Sequence, residues 1–265
     1  MKLTTVGDVM VDVITERLPA AGERMHGSVR LRAGGSAVNA ALTAAELGAE
    51  AQVVGRIGAD AAGDLVVAMV EAKGVEACLA RDAELPTGTT VALKDAVVAD
   101  RGANARLAPD DVPATLSGDA LLVSGFALFQ DGSRDGARAA LDRFDGRWAA
   151  VDLSSPKLAA DADLAVKANV VFVTEGEAKA ATGLEPEAAS RELAKRFEIV
   201  CLKREDGALA RRRDQVVDTA VSRVESTSPF GSGDAFAAAF LVALATGADL
   251  SDALAGACAA GARVA

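Results

Sequence analysis

Ser226-Thr227-Ser228-Pro229-Phe230-Gly231-Ser232-Gly233-Asp234-Ala235-Phe236 is the stretch from which the architecture is read. A Gly-Ser-Gly tripeptide stands directly before a run in which Phe236, Phe240, Leu241 and Leu244 recur at helical spacing. That spacing puts the four side chains on one face of a helix. The glycines let the chain turn and leave several backbone N–H groups unpaired where the helix begins. Together with the positive end of the helix dipole, those donors form an anion site. Asp234 falls in the first turn, where its carboxylate can take the proton of a hydroxyl that attacks phosphorus. Ser232 or Asp234 could equally do no more than cap the helix. No GxxxxGK[ST] loop occurs in the chain, and the third glycine of a GxGxxG fingerprint would fall on Phe236, so neither of those phosphate loops is encoded.

A second glycine segment lies near the start, Gly34-Gly35-Ser36-Ala37-Val38-Asn39, and opens another helical run. Paired glycines allow a ligand to approach the backbone closely. The Asn39 amide, one turn in, can donate to and accept from sugar hydroxyls. A tight strand-to-helix turn with a solvated asparagine reads the same way on local grounds.

Between these segments, short apolar runs alternate with amphipathic ones. Strands are expected over Leu3–Val13 (broken by Gly7 and Asp8), Ala51–Gly55, Ala120–Val123, Ala149–Leu153, Val170–Val173 and Val200–Leu202. Helices are expected over Ala37–Leu47, Ala61–Lys73, Arg134–Phe144 and Glu187–Phe197. This order predicts an α/β fold with a mainly parallel sheet covered on both faces. Glu23–Leu31 and Glu76–Val98 break the pattern and read as antiparallel strands of a small β-flap. Ordinary edge strands are the other reading of the same residues.

Composition narrows the chemistry. With 28 basic and 38 acidic side chains the net charge is −10, which disfavours nonspecific binding to nucleic acid or to an anionic membrane. His26 is the sole histidine, so a multi-histidine metal site is excluded. Cys78, Cys201 and Cys258 are far apart and read as buried free thiols. No basic segment followed by an apolar run opens the chain, and no uncharged apolar stretch of roughly 18 residues occurs. The expectation is a soluble cytoplasmic protein of one large domain or two small ones.

Taken together, the two glycine segments resemble the two signatures of the ribokinase-like (PfkB) carbohydrate kinases, GGxxxN early and a DTxGAGD-like motif opening a late helix. The opening Val6-Gly7-Asp8-Val9-Met10-Val11-Asp12, Val54–Asp60, Gly102-Ala103-Asn104 and Asp206-Gly207-Ala208 extend the likeness over nearly the whole chain. The resemblance narrows the chain to a single domain over residues 1–265 and implies a ribokinase-like three-layer sandwich with a mainly parallel central sheet. A small β-sheet lid would arise from insertions at about 12–31 and 76–104. It also implies ATP-dependent transfer of a γ-phosphoryl group to a hydroxymethyl oxygen of a free sugar or sugar acid of the ribose, fructose or 2-keto-3-deoxygluconate type. Asp234 would be the general base, with Gly231, Ser232 and Gly233 as the anion hole. Asp12, Gly34, Gly35 and Asn39 would hold the sugar. Thr174, Glu177, Leu202, Arg204, Gly207, Gly231 and Gly233 would meet ATP, and Glu177 would hold Mg²⁺ through water.

Three positions depart from the family pattern. Thr174 replaces an asparagine of an Asn-x-x-Glu motif, Arg204 replaces a nucleotide-site glycine, and Ser228 replaces an aspartate linked to a monovalent-cation site. The last predicts little activation by potassium. A nucleoside or sugar-phosphate acceptor on the same fold, or a catalytically idle sugar- or nucleotide-binding homologue, are the alternatives. Phe126 and Phe129 are the aromatics available to a nucleoside, and Arg30, Arg32, Arg101 and Arg106 the cations available to a phosphate. Glu16, Asp60 and Asp152 are further acids without an assigned part. A lid with one apolar face predicts a homodimer formed through it.

Overall fold

The structure, a computed structural model, describes residues 1–15, 17, 20–93, 96–220 and 231–264. The first half runs β1 (Lys2–Val6), β2 (Met10–Thr15), β3 (Val29–Gly34), α1 (Ser36–Glu46), β4 (Glu50–Gly58), α2 (Ala61–Glu71), β5 (Val75–Asp82), β6 (Gly88–Leu93) and β7 (Ala96–Asp100). After two 3-10 turns come β8 (Ala120–Ser124), α3 (Gly125–Leu128), α4 (Arg134–Arg143), β9 (Trp148–Asp152), α5 (Pro156–Ala160) and β10 (Val170–Thr174). The chain continues with α6 (Glu175–Thr182), α7 (Pro186–Leu193), β11 (Ile199–Arg204), β12 (Gly207–Arg212), β13 (Gln215–Ala220), α8 (Ser232–Ala245) and α9 (Leu250–Val264).

Two sheets result. The large one has the order β13-β12-β11-β10-β9-β8-β1-β4-β5, parallel from β11 to β5 and antiparallel at β12 and β13. Its central strands are apolar on both faces, as a sheet between two helical layers must be. Leu3, Val53, Phe172 and Cys201 join the core under α1, α2, α8 and α9. Val6, Val54, Val123, Val171 and Val200 join a second core under α3 to α7. Helix α8 is buried nearly all round, from Ala235 to Leu241, and not along a single stripe. It lies under the sheet with α1 and α9 against it, and Phe236 and Phe240 both meet the Phe172 ring edge-on.

The small sheet, β3-β2-β6-β7, corresponds to the expected β-lid. Two sequence expectations need correction here. Leu3–Val13 is two strands in two sheets: the chain leaves the large sheet at Gly7-Asp8 and enters the lid at Met10. Buried Asn104 secures the crossing by accepting from Val9 N–H at 2.8 Å and donating to Val9 C=O at 2.9 Å. Likewise, residues 75–82 belong to the large sheet as its edge strand, parallel to β4, so the second lid segment starts at Gly88. An edge strand has one partner and a partly solvated face, and its mixed composition therefore imitates a lid strand. Glu23–Ser28 forms no strand, and His26 is exposed there.

Candidate active site

Both ends of the site are built by parallel strands that stop at one edge. In such sheets ligands bind outside the carboxyl ends of the strands, where the strand order reverses. Here the reversal falls at β1, which has β4 on one side and β8 on the other. A cavity of about 900 Å³ opens over this edge. Asp12, Gly35, Asn39, Thr174, Glu177, Arg204, Gly207, Gly231, Ser232, Gly233 and Asp234 all line it. Residues more than 200 positions apart in the chain, Asp12 and Asp234 among them, thus face one cavity.

The floor is the start of α8. Gly231 precedes the helix with φ +89°, a conformation that favours glycine. No side-chain hydrogen bond caps α8 among the described residues. Gly231, Ser232 and Gly233 line the cavity at this helix start, and the Asp234 carboxylate meets Asn39 across it. Asp234 is half-buried, and its carboxylate accepts a 2.9 Å hydrogen bond from the Asn39 amide. Burial pushes the Asp234 carboxyl up to about 7. The Asn39 hydrogen bond and Lys203 oppose that rise, and Asp152 and Asp12 add to it. Such a group is half-ionised near neutrality, the condition suited to a general base. Asn39, expected to face sugar hydroxyls, also orients this carboxylate.

The roof is the lid, through Met10, Asp12, Thr90, Val97 and Ala99. Burial raises the Asp12 carboxyl while Arg32, donating from Nε at 3.1 Å, pulls it down. Gly34 does not line the cavity. Its part is steric: a Cβ there would collide with the Asp12 carboxylate. At Gly35, φ is +88° and a Cβ would strike the Asp8 carbonyl. The glycine pair thus lets the Asp12 strand and the α1 start lie together. Asp8 and Arg101, both at the cavity, hold each other through two hydrogen bonds of 2.9 and 2.7 Å.

At the nucleotide end, Thr174 and Glu177 form a reciprocal capping box on α6. Glu177 N–H donates to Thr174 Oγ1 at 3.3 Å, and Thr174 N–H donates to Glu177 Oε2 at 2.8 Å. Threonine in place of asparagine therefore still fixes the glutamate. Burial and Asp152 push the Glu177 carboxyl up, and Lys203 lowers it. Arg204 lines the cavity and donates to Asp218 on β13, so it is drawn toward the sheet edge. Leu202 must be corrected. Successive residues of a strand face opposite sides, so Leu202 packs into the core with Val200 while Lys203 enters the cavity.

Lys203 and Asp152 are the residues that motif reading missed. Lys203 Nζ donates to Asp152 Oδ2 at 2.6 Å. Each stands at the carboxyl end of an otherwise apolar strand, and a charge ending a buried parallel strand is the signal that would have found them. Of the other unassigned acids, Asp60 caps α2 through Gly63 N–H and binds Thr87, and Glu16 lies outside the described residues. Ser228 also lies outside them. Phe126 lines the cavity, whereas Phe129 packs on the core. Arg106 is held by Glu84.

Comparison with known proteins agrees with this fold. The pattern of the pfkB family carbohydrate kinases matches residues 1–265. The chain belongs to that family and is a sugar kinase, a phosphotransferase with an alcohol acceptor. It is 28% identical over 292 residues to a 2-dehydro-3-deoxygalactonokinase of Haloferax volcanii, covering 96% of this chain and 87% of that one. It is 23% identical over 269 residues to a deoxyribokinase of Salmonella typhi, covering 91% and 84%. Fructokinase from Vibrio cholerae O395, solved with fructose, ADP and calcium ion, shares the fold at a TM-score of 0.83 and 24% identity, over 98% of this chain and 91% of that one. No helix among the described residues is long and apolar enough to cross a membrane.

Proposed function

We propose that the chain transfers the γ-phosphoryl group of ATP to a hydroxymethyl oxygen of a free sugar or sugar acid. The carrying observation is the placement of Asp234 beside the uncapped Gly231–Gly233 turn, directly across the cavity from the lid residue Asp12. The acceptor hydroxyl gives its proton to Asp234 as its oxygen bonds to phosphorus. The bond from phosphorus to the bridging oxygen breaks, and ADP leaves. Backbone N–H groups of the α8 start stabilise the charge on the transferring group. Asp12 and Asn39 orient the acceptor, and the lid excludes water.

The donor set suits magnesium held mainly by phosphates and water. Among the described residues no cluster of three or more acids, histidines or cysteines could chelate a metal, and Mg²⁺ commonly keeps its waters and uses one or two carboxylates. Glu177 would hold such an ion through water, beside Thr174. Bound there, Mg²⁺ supplies charge neutralisation to the phosphates. Gly207 and Arg204 flank the place left for the rest of ATP.

The acceptor class follows from charge. Arg101, at the sugar end, is neutralised by Asp8, to which it donates two hydrogen bonds, and this leaves poor provision for a second phosphate. Arg32 is outside the cavity lining and donates from Nε to Asp12, so it too is committed to a carboxylate. ATP consumption measured with ribose, fructose, 2-keto-3-deoxygluconate, adenosine and fructose 6-phosphate tests this. A free sugar or sugar acid is expected to be turned over best; fructose 6-phosphate or adenosine as the best acceptor overturns it. With that acceptor, Asp12→Ala should raise KM at least about tenfold, the loss of one buried charged hydrogen-bonding group.

The lid also carries a self-association surface. Its register places Leu31, Val13, Val91 and Val98 in one cross-strand row, on the side opposite Asp12 and Thr90. Leu31 is 51% exposed and Val98 73%, so much of this row is uncovered. A second lid would cover it, giving a homodimer. Sedimentation should show a dimer that Val98→Asp converts to a monomer; a wild-type monomer at assay concentration removes the idea.

A further inference from the structure

We infer that the Lys203 ammonium is itself part of the phosphoryl-transfer machinery, acting as a fixed cation on the transferring phosphate; this rests on the kinase reading above. Lys203, the penultimate residue of β11, lies on the α8 side of the sheet, paired in register with Thr174. Its Nζ lies 3.4 Å from where a Gly233 Cβ would sit, so it abuts the backbone of the anion hole. Asp152 fixes it there. Oδ1 of Asp152 accepts the Ser154 N–H at 2.8 Å, which leaves Oδ2 to take the 2.6 Å bond from the lysine. Ser154 adopts φ +66°, a conformation uncommon for a residue with a side chain, so the turn holding Asp152 is strained beside the cavity.

The surroundings explain why a cation is needed. Asp152 from β9, Glu177 from α6 and Asp234 from α8 all act on Lys203, and Asp12 from the lid adds to the field at Asp234. Four carboxylates and a triphosphate around one small volume would repel one another at low local dielectric. Burial favours a neutral lysine, yet the acids outweigh it and keep the ammonium charged. A partner for Asp152 alone would need no place at the anion hole. With its remaining N–H donors, Lys203 can bond to a γ-phosphoryl oxygen as the bond to the acceptor forms and the bond to ADP breaks.

The test compares wild type, Lys203→Met, and the double variant Asp152→Leu/Lys203→Met. The double variant removes both charges of the pair and so leaves no orphaned acid to unfold the protein. Calorimetric affinities for Mg-ATP and Mg-ADP are measured on each. The ratio of ATP to ADP affinity should fall at least tenfold in both variants, since only ATP carries the phosphoryl that Lys203 contacts. With the acceptor identified, kcat should fall about 10²–10³-fold, as for loss of an oxyanion donor. In Lys203→Met the acidic limb of the kcat/KM profile should move upward, because Asp234 loses a cation that lowers it while Asn39, Asp152 and Asp12 still face it; in the double variant, which also loses the Asp152 charge, this upward move should be absent. Should either folded variant keep the wild-type ATP-to-ADP ratio, or lose both nucleotides equally, the lysine is structural and the inference fails. Wild type that discriminates normally while the variants do the same rejects the inference alone. Wild type that binds neither nucleotide rejects the kinase reading, and the inference with it.

Discussion

Asp234→Asn is expected to lower kcat by about 10²–10⁴-fold with sugar and ATP affinities nearly intact, the usual cost of removing a positioned general base. The amide keeps the shape of the side chain but cannot take the hydroxyl proton. In the wild type, kcat/KM should rise about tenfold per pH unit below neutrality and level off above about 7, where the carboxylate is ionised. Stability should run the other way. The folded carboxyl binds its proton more tightly than the unfolded one, so between about pH 4 and 7 the native state carries the extra proton. Native stability contributed by this group therefore declines as pH rises through that window. Asp234→Asn removes the decline and should stabilise the protein above pH 7 by about 1–2 kcal/mol, after allowance for the solvent that reaches the pocket. Near pH 4 the gain should vanish. Thermal melts of both proteins at pH 4 and 8 check the sign; a variant with near-normal kcat would remove Asp234 from the role of base.

Phe172→Ala should cost about 3–5 kcal/mol, the range for truncating a fully buried aromatic. Phe172 is 0% exposed on β10, and its ring meets Phe240 at 5.7 Å and Phe236 at 6.1 Å, both nearly perpendicular. Those two rings hang from the helix that carries Asp234. The substitution therefore leaves a cavity between the sheet and α8, and relaxation of α8 into it displaces the base from the anion hole. Denaturant midpoints should fall accordingly, with kcat reduced in the fraction that remains folded. Phe172→Leu, which fills most of the volume, should cost under about 1.5 kcal/mol and keep most activity. If the alanine variant loses less than about 1 kcal/mol, the packing of α8 on β10 does not hold the catalytic helix in place.

How far each feature could be read depended on the range of the interaction behind it. The Gly231-Ser232-Gly233-Asp234 turn was legible because turn chemistry and helix onset act within a few residues. Gly35 was legible for the same reason, since it alone suits the backbone at the start of α1. The central strands announced themselves by apolar runs, as strands covered on both faces do. The boundary of the lid was not legible, because a solvated edge strand such as β5 and a lid strand such as β6 both mix apolar with polar residues. Leu202 was assigned to ATP and Lys203 overlooked because the period of a strand says that neighbours face opposite ways, but not which of them faces the ligand.

The chain order of apolar runs and two glycine turns was enough to specify a parallel α/β fold, a glycine-turned helix start and a carboxylate beside it. The convergence of Asp152, Glu177 and Lys203 on that helix start, the Asn39–Asp234 bond, and the exposed row on the lid came from elsewhere. They depend on sheet register, on the reversal of strand order at β1 and on the packing of α8 under Phe172. Those are contacts between residues tens to hundreds of positions apart, and no local pattern of side chains carries them.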